Sequence, residues 1–278
     1  MNLSDTTAYK MKFLQGLATD YDLREVQNMW RIVKEDYFDP YGFDDFNRII
    51  QELQKGKPIS YVTGVHYFYE NEFAVNKHVL IPRPETEELV SWVLAEHGAK
   101  ENNVLDIGTG SGCIAISLKL KRPEWKISGM DISLQAMNVA KTNAKSLNAD
   151  VTFRFGDANS PVMYPDDLDI IVSNPPYVLK RDRVAMSHSV IEYEPEQALF
   201  VSDDDPLYFY RRIIKNAISR NNKSLQFYFE IHHLFADEMV ALCQKNNLSE
   251  IRVKKDMQGE SRMLSALFQK KEKARHDA

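Results

Sequence analysis

From Asn103 onward the chain switches period repeatedly, and each switch restricts the folds open to it. "NVLDIG" is an apolar run of strand length, "SGCIAISLKLKR" repeats at helical spacing, and "WKISGMD" returns to a strand. "SLQAMNVAKTNAKSLN" reads as a helix with Ser133 as its N-cap, followed by strands at "VTFRFGD" and "LDIIVS". Beyond a helix in "DPLYFYRRIIKNAI", three more strands follow at "LQFYFEI", "EIRVKKD" and "MLSALFQ", with a helix from about Leu234 to Lys245. Parallel strands need a crossover between them, so this alternation predicts an α/β fold with a mostly parallel sheet covered on both faces. The last two of its seven strands have no helix between them, so one runs antiparallel.

The segment before this alternation has a different character. In "DLREVQNMWRIVKEDYF", Leu23, Val26, Trp30 and Val33 recur at helical spacing, and "DDFNRIIQELQKGKP" repeats the pattern with Phe46, Ile49, Ile50 and Leu53. Gly56 and Pro58 stop it. "VHYFYENEFAV" sets aromatic and β-branched residues on both sides of a polar "EN", a hairpin signal. "IPRPETEELVSWVLAEHG" then opens a helix behind two prolines. The expected division is a small helical domain over 1–58, a β-hairpin linker over 59–84 and an α/β domain over 85–278.

Charge and cysteine usage exclude several classes. A net charge of -5, with nine Lys plus Arg against twelve Asp plus Glu in the first eighty residues, argues against broad binding of nucleic acid. The two cysteines, Cys113 and Cys243, stand outside any CxxC pattern, which suits a reduced, cytoplasmic protein without structural zinc. No signal peptide and no apolar run of bilayer length is present, so no membrane partner is expected.

"LDIGTGSG" (Leu105 to Gly112) sits where the first strand of the alternation meets its helix. Glycines there let the backbone turn sharply and approach a ligand closely, with helix N–H groups available to it. The spacing is GxGxG, not the GxGxxG of dinucleotide sites, and no GK[ST] follows as in a P-loop. Asp106, Asp131 and Asp157 close three consecutive strands on the same edge, where Asp131 suits ribose hydroxyls and Asp157 an adenine amino group. "SNPPYV" is the second constellation: Pro175 and Pro176 lack N–H groups and stiffen the end of a strand, presenting the Asn174 amide and free carbonyl oxygens. As an isolated feature it reads as a rigid turn; beside the glycine loop it reads as a site. His232 and His233 are not read as metal ligands, because neighbours on a strand point to opposite faces, and no metal is expected.

"LDIGTGSG", "GMDIS" and "NPPY", in that order, resemble the class I S-adenosylmethionine-dependent methyltransferases, and "NPPY" the subset that methylates planar nitrogens. "PISYVTGVHYFYENEFAVNKHVLIPRPETEELV", "EYEPEQALF" and "KKDMQGESRML" are similar to segments of the release-factor glutamine methyltransferases. The resemblance covers most of residues 58 to 268, with His232 standing where that family usually has glycine. It implies a Rossmann-like catalytic domain, S-adenosyl-L-methionine as cofactor, and class I peptide chain release factors as protein substrate, methylated at the glutamine of their GGQ loop. It also implies that the N-terminal helices dock that substrate.

Asn174, Pro175, Pro176 and Tyr177 are then the catalytic and substrate-binding candidates. Gly108, Thr109, Gly110, Ser111, Gly112, Asp131, Asp157, Ala158 and Asn174 are the cofactor-binding candidates, joined by Arg83 and Glu85 of "IPRPETE". In this reading the Asn174 side-chain oxygen and the carbonyl at Pro175 accept the two N–H groups of the substrate amide, while the Tyr177 ring packs over its plane. Alternatives are methylation of a ribosomal-protein glutamine, or of adenine N6 in nucleic acid. A nicotinamide-binding oxidoreductase and a non-catalytic cofactor-binding module are disfavoured by the GxGxG spacing and the intact "NPPY" respectively.

Overall fold

The computed structural model describes residues 3–36 and 44–270. Residues 1–2, 37–43 and 271–278, which the division above places in its first and last segments, lie outside the described residues. Helices α1 (Leu3–Leu17), α2 (Leu23–Asp36) and α3 (Asp44–Gln54) share a core in which Phe13, Val26, Trp30, Val33, Phe46 and Ile49 are buried. Leu23 departs from the helical stripe: at the first position of α2 it stays 64% exposed. The short α4 (Ile59–Thr63) adds Val62 to this core and ends at Gly64, whose φ of +81° is the left-handed turn that a glycine takes without steric cost.

The hairpin follows as β1 (Val65–Phe68) and β2 (Asn71–Ala74), paired antiparallel with Phe68 opposite Asn71. Its two-residue turn is Tyr69–Glu70, one residue earlier than the "EN" signal suggests, and both have positive φ. Glu87 accepts the Tyr69 N–H (2.9 Å) and Asn71 Nδ2 donates to the Tyr69 carbonyl (2.7 Å), so neighbours hold a turn that neither residue favours alone.

The central sheet contains β3 (Asn103–Ile107), β4 (Lys126–Asp131), β5 (Val151–Phe155) and β6 (Ile170–Ser173). A two-residue parallel pair, β7 (Val178–Leu179) with β8 (Phe200–Val201), stands apart from it. β9 (Leu225–Glu230), β10 (Leu248–Lys255) and β11 (Ser261–Phe268) complete the sheet, in the order β10-β11-β9-β6-β3-β4-β5. β11 is antiparallel to both of its neighbours and the other pairings are parallel, which is the expected seven-stranded, mostly parallel sheet.

Alternation along each strand divides the apolar residues between two faces. Val104, Ile170, Val172 and Tyr228 face α5 (Pro84–Glu96), α6 (Cys113–Lys121) and α7 (Leu134–Ser146). Leu105, Ile171, Phe227 and Phe229 face α10 (Tyr208–Arg220) and α11 (Ala236–Lys245). The short helices α8 (His188–Tyr193) and α9 (Glu196–Leu199) lie in the β7–β8 connection. No helix among the described residues is long and apolar enough to cross a membrane.

Candidate active site

The chain leaves β3 toward β4 on one side, while β6 pairs with β3 on the other, so the strand order reverses beside β3. Ligands of open α/β sheets bind outside the carboxyl ends of the strands at such a reversal. Here a cavity of about 360 Å³ opens at that edge, lined from β3 by Gly108 to Ser111, from β4 by Asp131, and from β6 by Asn174, Pro175 and Pro176. Asp157, Ala158 and Arg83 also line it, so the sequence candidates from five separate stretches converge on one space.

The glycine loop is folded by its own backbone. The N–H groups of Gly108 and Thr109 donate to the Met130 carbonyl at 2.8 and 3.1 Å, that of Gly112 to Thr109 O, and that of Gly110 to Asp131 Oδ2 at 2.9 Å. Four loop amides are thus committed inside the protein, so these four positions contribute shape and close approach and not free N–H donors. A β-carbon on Gly108 would meet no atom within 4 Å, because that position faces open space. Gly112 is different and does not line the cavity: its added β-carbon would lie 2.9 Å from Ile116 and 3.1 Å from Phe153. At φ +82° it is needed for packing beneath the loop, not for the cavity wall.

The three strand-end carboxylates separate into two kinds. Asp131 Oδ1 accepts the Ser133 N–H at 2.8 Å, and Ser133 in turn caps α7. Burial raises the Asp131 pKa, and these backbone N–H groups oppose the rise. Asp157 accepts the Asn159 N–H at 2.8 Å at the cavity wall. Asp106 instead lies fully buried under the loop, where Oδ2 accepts the Thr109 hydroxyl at 2.6 Å. Burial pushes its carboxyl up to about 7. Cys113, at the start of α6, is buried and its thiol is pushed up to about 12, again by burial.

The proline corner is organised by residues far away in the chain. Ser173 Oγ donates to the Ile107 carbonyl (2.6 Å), binding the end of β6 to the end of β3. Asn174 Nδ2 donates to Thr86 Oγ1 (3.1 Å), which leaves Oδ1 as the acceptor of that side chain. Thr86 donates to Glu230 Oε2 (2.6 Å), and the Tyr177 hydroxyl donates to Glu230 Oε1 (2.9 Å). Tyr177 therefore does not face the cavity. Its ring packs with the apolar core on the α10 side and edge-on to His232, because the hydroxyl is drawn back to the buried carboxylate.

Arg83 pairs with the buried Glu194 at 2.6 Å, and the second Glu194 oxygen accepts the Ile81 N–H at 3.2 Å, fastening the "IPRPETE" segment over the cavity. Glu85, two residues on, is off the cavity and faces Gln258 (3.5 Å), since Thr86 is the position of this turn directed inward. His232 and His233 lie beyond the end of β9, with rings stacked at 4.8 Å, not on opposite faces of a strand. Among the described residues no group of three or more His, Cys, Asp or Glu is placed to hold a metal ion.

Thr86, Asn143, Glu194 and Glu230 were not singled out from the sequence. Asn143 Nδ2 donates to the carbonyls of Ser111 and Ala74, and its Oδ1 accepts the Ala74 N–H, coupling the glycine loop to the hairpin. The one available signal was Glu230, a carboxylate ending an apolar strand on the same edge as the three aspartates.

Residues 86–199 match the model of the methyltransferase small domain family. A release factor glutamine methyltransferase of Flavobacterium psychrophilum is 37% identical over 94% of this chain and 98% of its own length. One of Bacteroides thetaiotaomicron is 43% identical over 80% of each chain. Among solved structures, the catalytic domain of human Mettl16 in complex with an RNA hairpin superposes with a TM-score of 0.57 over 90% of this chain and 93% of that one. At 14% identity that likeness is one of fold. A methyltransferase of Pyrococcus furiosus gives a TM-score of 0.52 at 15% identity, over 82% of this chain and 98% of that one. With 37% identity over nearly the full length of both chains, this chain belongs to the release factor glutamine methyltransferase family.

Proposed function

We propose that the protein methylates the side-chain amide nitrogen of a glutamine, that of the GGQ loop in class I peptide chain release factors, with S-adenosyl-L-methionine as methyl donor. The observation that carries this reading is the Asn174 amide at the cavity edge, held by Thr86 with its oxygen to spare, in the same cavity as the glycine loop and Asp131.

The residues fit the cofactor. Gly108 opens on empty space, Asp131 keeps a lone pair on each oxygen for ribose hydroxyls, and Asp157 with Ala158 supplies a polar edge and an apolar wall for adenine. Arg83 covers the cavity from the "IPRPETE" side. Bound there, S-adenosylmethionine supplies a methyl carbon made electrophilic by its sulfonium.

An amide nitrogen is a poor nucleophile because its lone pair is delocalised, so the protein must orient it. Asn174 Oδ1 and the carbonyl at Pro175 accept its two N–H groups and fix its plane. Both bonds strengthen as positive charge develops on nitrogen, so they act on the transition state more than on the bound substrate. The nitrogen becomes acidic as it reacts and loses its proton without a strong base. A carboxylate in the same place would set lone pairs against lone pairs, a mismatch that discriminates strongly. The N-terminal helices through residue 58 act as the docking surface, residues 59–84 link, and residues 85–278 carry the chemistry, in the cytoplasm where release factors work.

Incubation of the full chain with radiolabelled S-adenosylmethionine and a purified release factor checks this. Label is expected in the factor and not in its GGQ→GGA variant. Label in a ribosomal protein or in nucleic acid, with the release factor unlabelled, would refute the assignment.

A further inference from the structure

We infer that the Glu230 carboxylate, acting through the Thr86 hydroxyl, dictates which end of the Asn174 amide faces the cavity. This deepens the proposed methylation and rests on it. Glu230 and Thr86 are positioning residues: Thr86 lines the cavity but its hydroxyl is engaged by Glu230 and Asn174, and the acceptor offered to substrate depends on both.

The argument is one of hydrogen-bond polarity. An ionised carboxylate only accepts, and Glu230 receives Thr86 Oγ1 at 2.6 Å on one oxygen and Tyr177 OH at 2.9 Å on the other. A hydroxyl has one proton. Once the Thr86 proton is committed to Glu230, its oxygen has only lone pairs to offer Asn174, 3.1 Å away. Asn174 must then turn its NH₂ toward Thr86, and Oδ1 is left for the cavity. The two ends of this amide have nearly the same shape, so packing alone distinguishes them poorly. The directed chain from Asn174 to Thr86 to Glu230 distinguishes them by charge, in a buried setting where a reversed bond is expensive.

A neutral Glu230 removes that constraint. Its own proton can then be given to Thr86, whose hydroxyl is freed to donate to Asn174 Oδ1, and the inverted amide would meet a substrate amide donor against donor. Several elements set the charge of Glu230. Burial raises its pKa most, and Glu85 of α5 acts the same way. Thr86, Tyr177 and Arg262 of β11 oppose the rise. Tyr210 of α10 donates to the Glu230 main-chain oxygen at 2.9 Å, and the Cys113 thiol of α6 also senses the carboxylate. Arg262 is itself paired with Asp256 at 3.2 Å. Because the ionised form is the productive one, turnover should fall as pH drops through this group's titration.

The test compares wild type, Thr86→Ser, Thr86→Val and Glu230→Gln as full chains, with labelled S-adenosylmethionine and a release factor across pH. Thr86→Val keeps the shape and removes the relay; its kcat is expected to drop about 10- to 100-fold, with KM for the release factor changed far less. Thr86→Ser restores the hydroxyl and should recover most of that loss. The acidic fall in wild-type kcat should vanish in Glu230→Gln, which cannot titrate, and in Thr86→Val, whose Asn174 no longer reads the carboxylate. Thermal melts and cofactor Kd confirm that each variant is folded. Thr86→Val turning over as fast as Thr86→Ser would overturn the inference, as would an unchanged acidic fall in Glu230→Gln. An active wild type with those results fails the inference alone, whereas a wild type that never labels the factor fails the methylation reading as well.

Discussion

The two halves of the cavity are built in opposite ways. The glycine-loop half is local: Thr109 bonds Asp106 three residues away, and Gly110 bonds Asp131 twenty-one residues away, all within one strand–helix–strand unit. The proline-corner half is assembled from distant stretches, with 88 residues separating Asn174 from Thr86 and 144 separating Thr86 from Glu230. The local half depends on backbone conformation and close packing, which a short motif can encode by itself. The distant half depends on the whole sheet being in register, because β6 and β9 must lie side by side, with Ser173 opposite Phe229, for the corner to meet its carboxylate. The difference predicts that damage to the first half appears in stability and cofactor affinity, and damage to the second in turnover.

The largest effect should come from the distant half. Asn174→Ala is expected to lower kcat about 10²- to 10³-fold while leaving the cofactor Kd near that of wild type, measured by calorimetry beside the methylation assay. Equal loss of both would erase the distinction between the halves.

In the local half, Gly112→Ala adds a β-carbon 2.9 Å from Ile116 at a φ of +82°. The combined strain and overpacking should cost about 2–4 kcal/mol of stability in denaturant titrations, with the corner's chemistry retained in the fraction that folds. Asp131→Ala should weaken cofactor binding roughly 10- to 50-fold and alter turnover at saturating cofactor much less.

Asp106→Asn sharpens the comparison most finely. The folded-state carboxyl sits at about 7, above its ordinary 3.8, so folded protein holds a proton that unfolded chain has released between those values. The contribution of this group to stability therefore declines as pH rises through that window and levels off above about 7. The variant should lack the decline, a difference of roughly 1–2 kcal/mol between pH 5.5 and 7 seen in melts across pH. Parallel pH profiles for the two proteins would mean that Asp106 is not the group responsible.

Legibility followed the same division. Gly108, Thr109, Gly110, Ser111 and Asp131 lie at the cavity because they belong to a strand–turn–helix unit whose geometry is local. Gly112 carries the same motif signal but serves packing, a role that depends on Ile116 and Phe153 arriving beneath it. Tyr177 and Glu85 show the limit of reading by proximity in sequence. Each adjoins a cavity residue, yet Tyr177 turns back to Glu230 and Glu85 turns out toward Gln258. Thr86 and Glu230 gave no motif of their own, since a threonine in a first helical turn and a glutamate ending a strand have many uses.

By itself the amino-acid order settled the layered α/β architecture, the single antiparallel strand and the places where the backbone must turn sharply. Those depend on the spacing of apolar residues and on the conformational limits of glycine and proline, which act over a few residues. Which side chains face one another across the cavity was decided only by the folded chain. Buried hydrogen bonds between remote strands and helices carry direction as well as distance, and that direction is set by the partners that folding brings together.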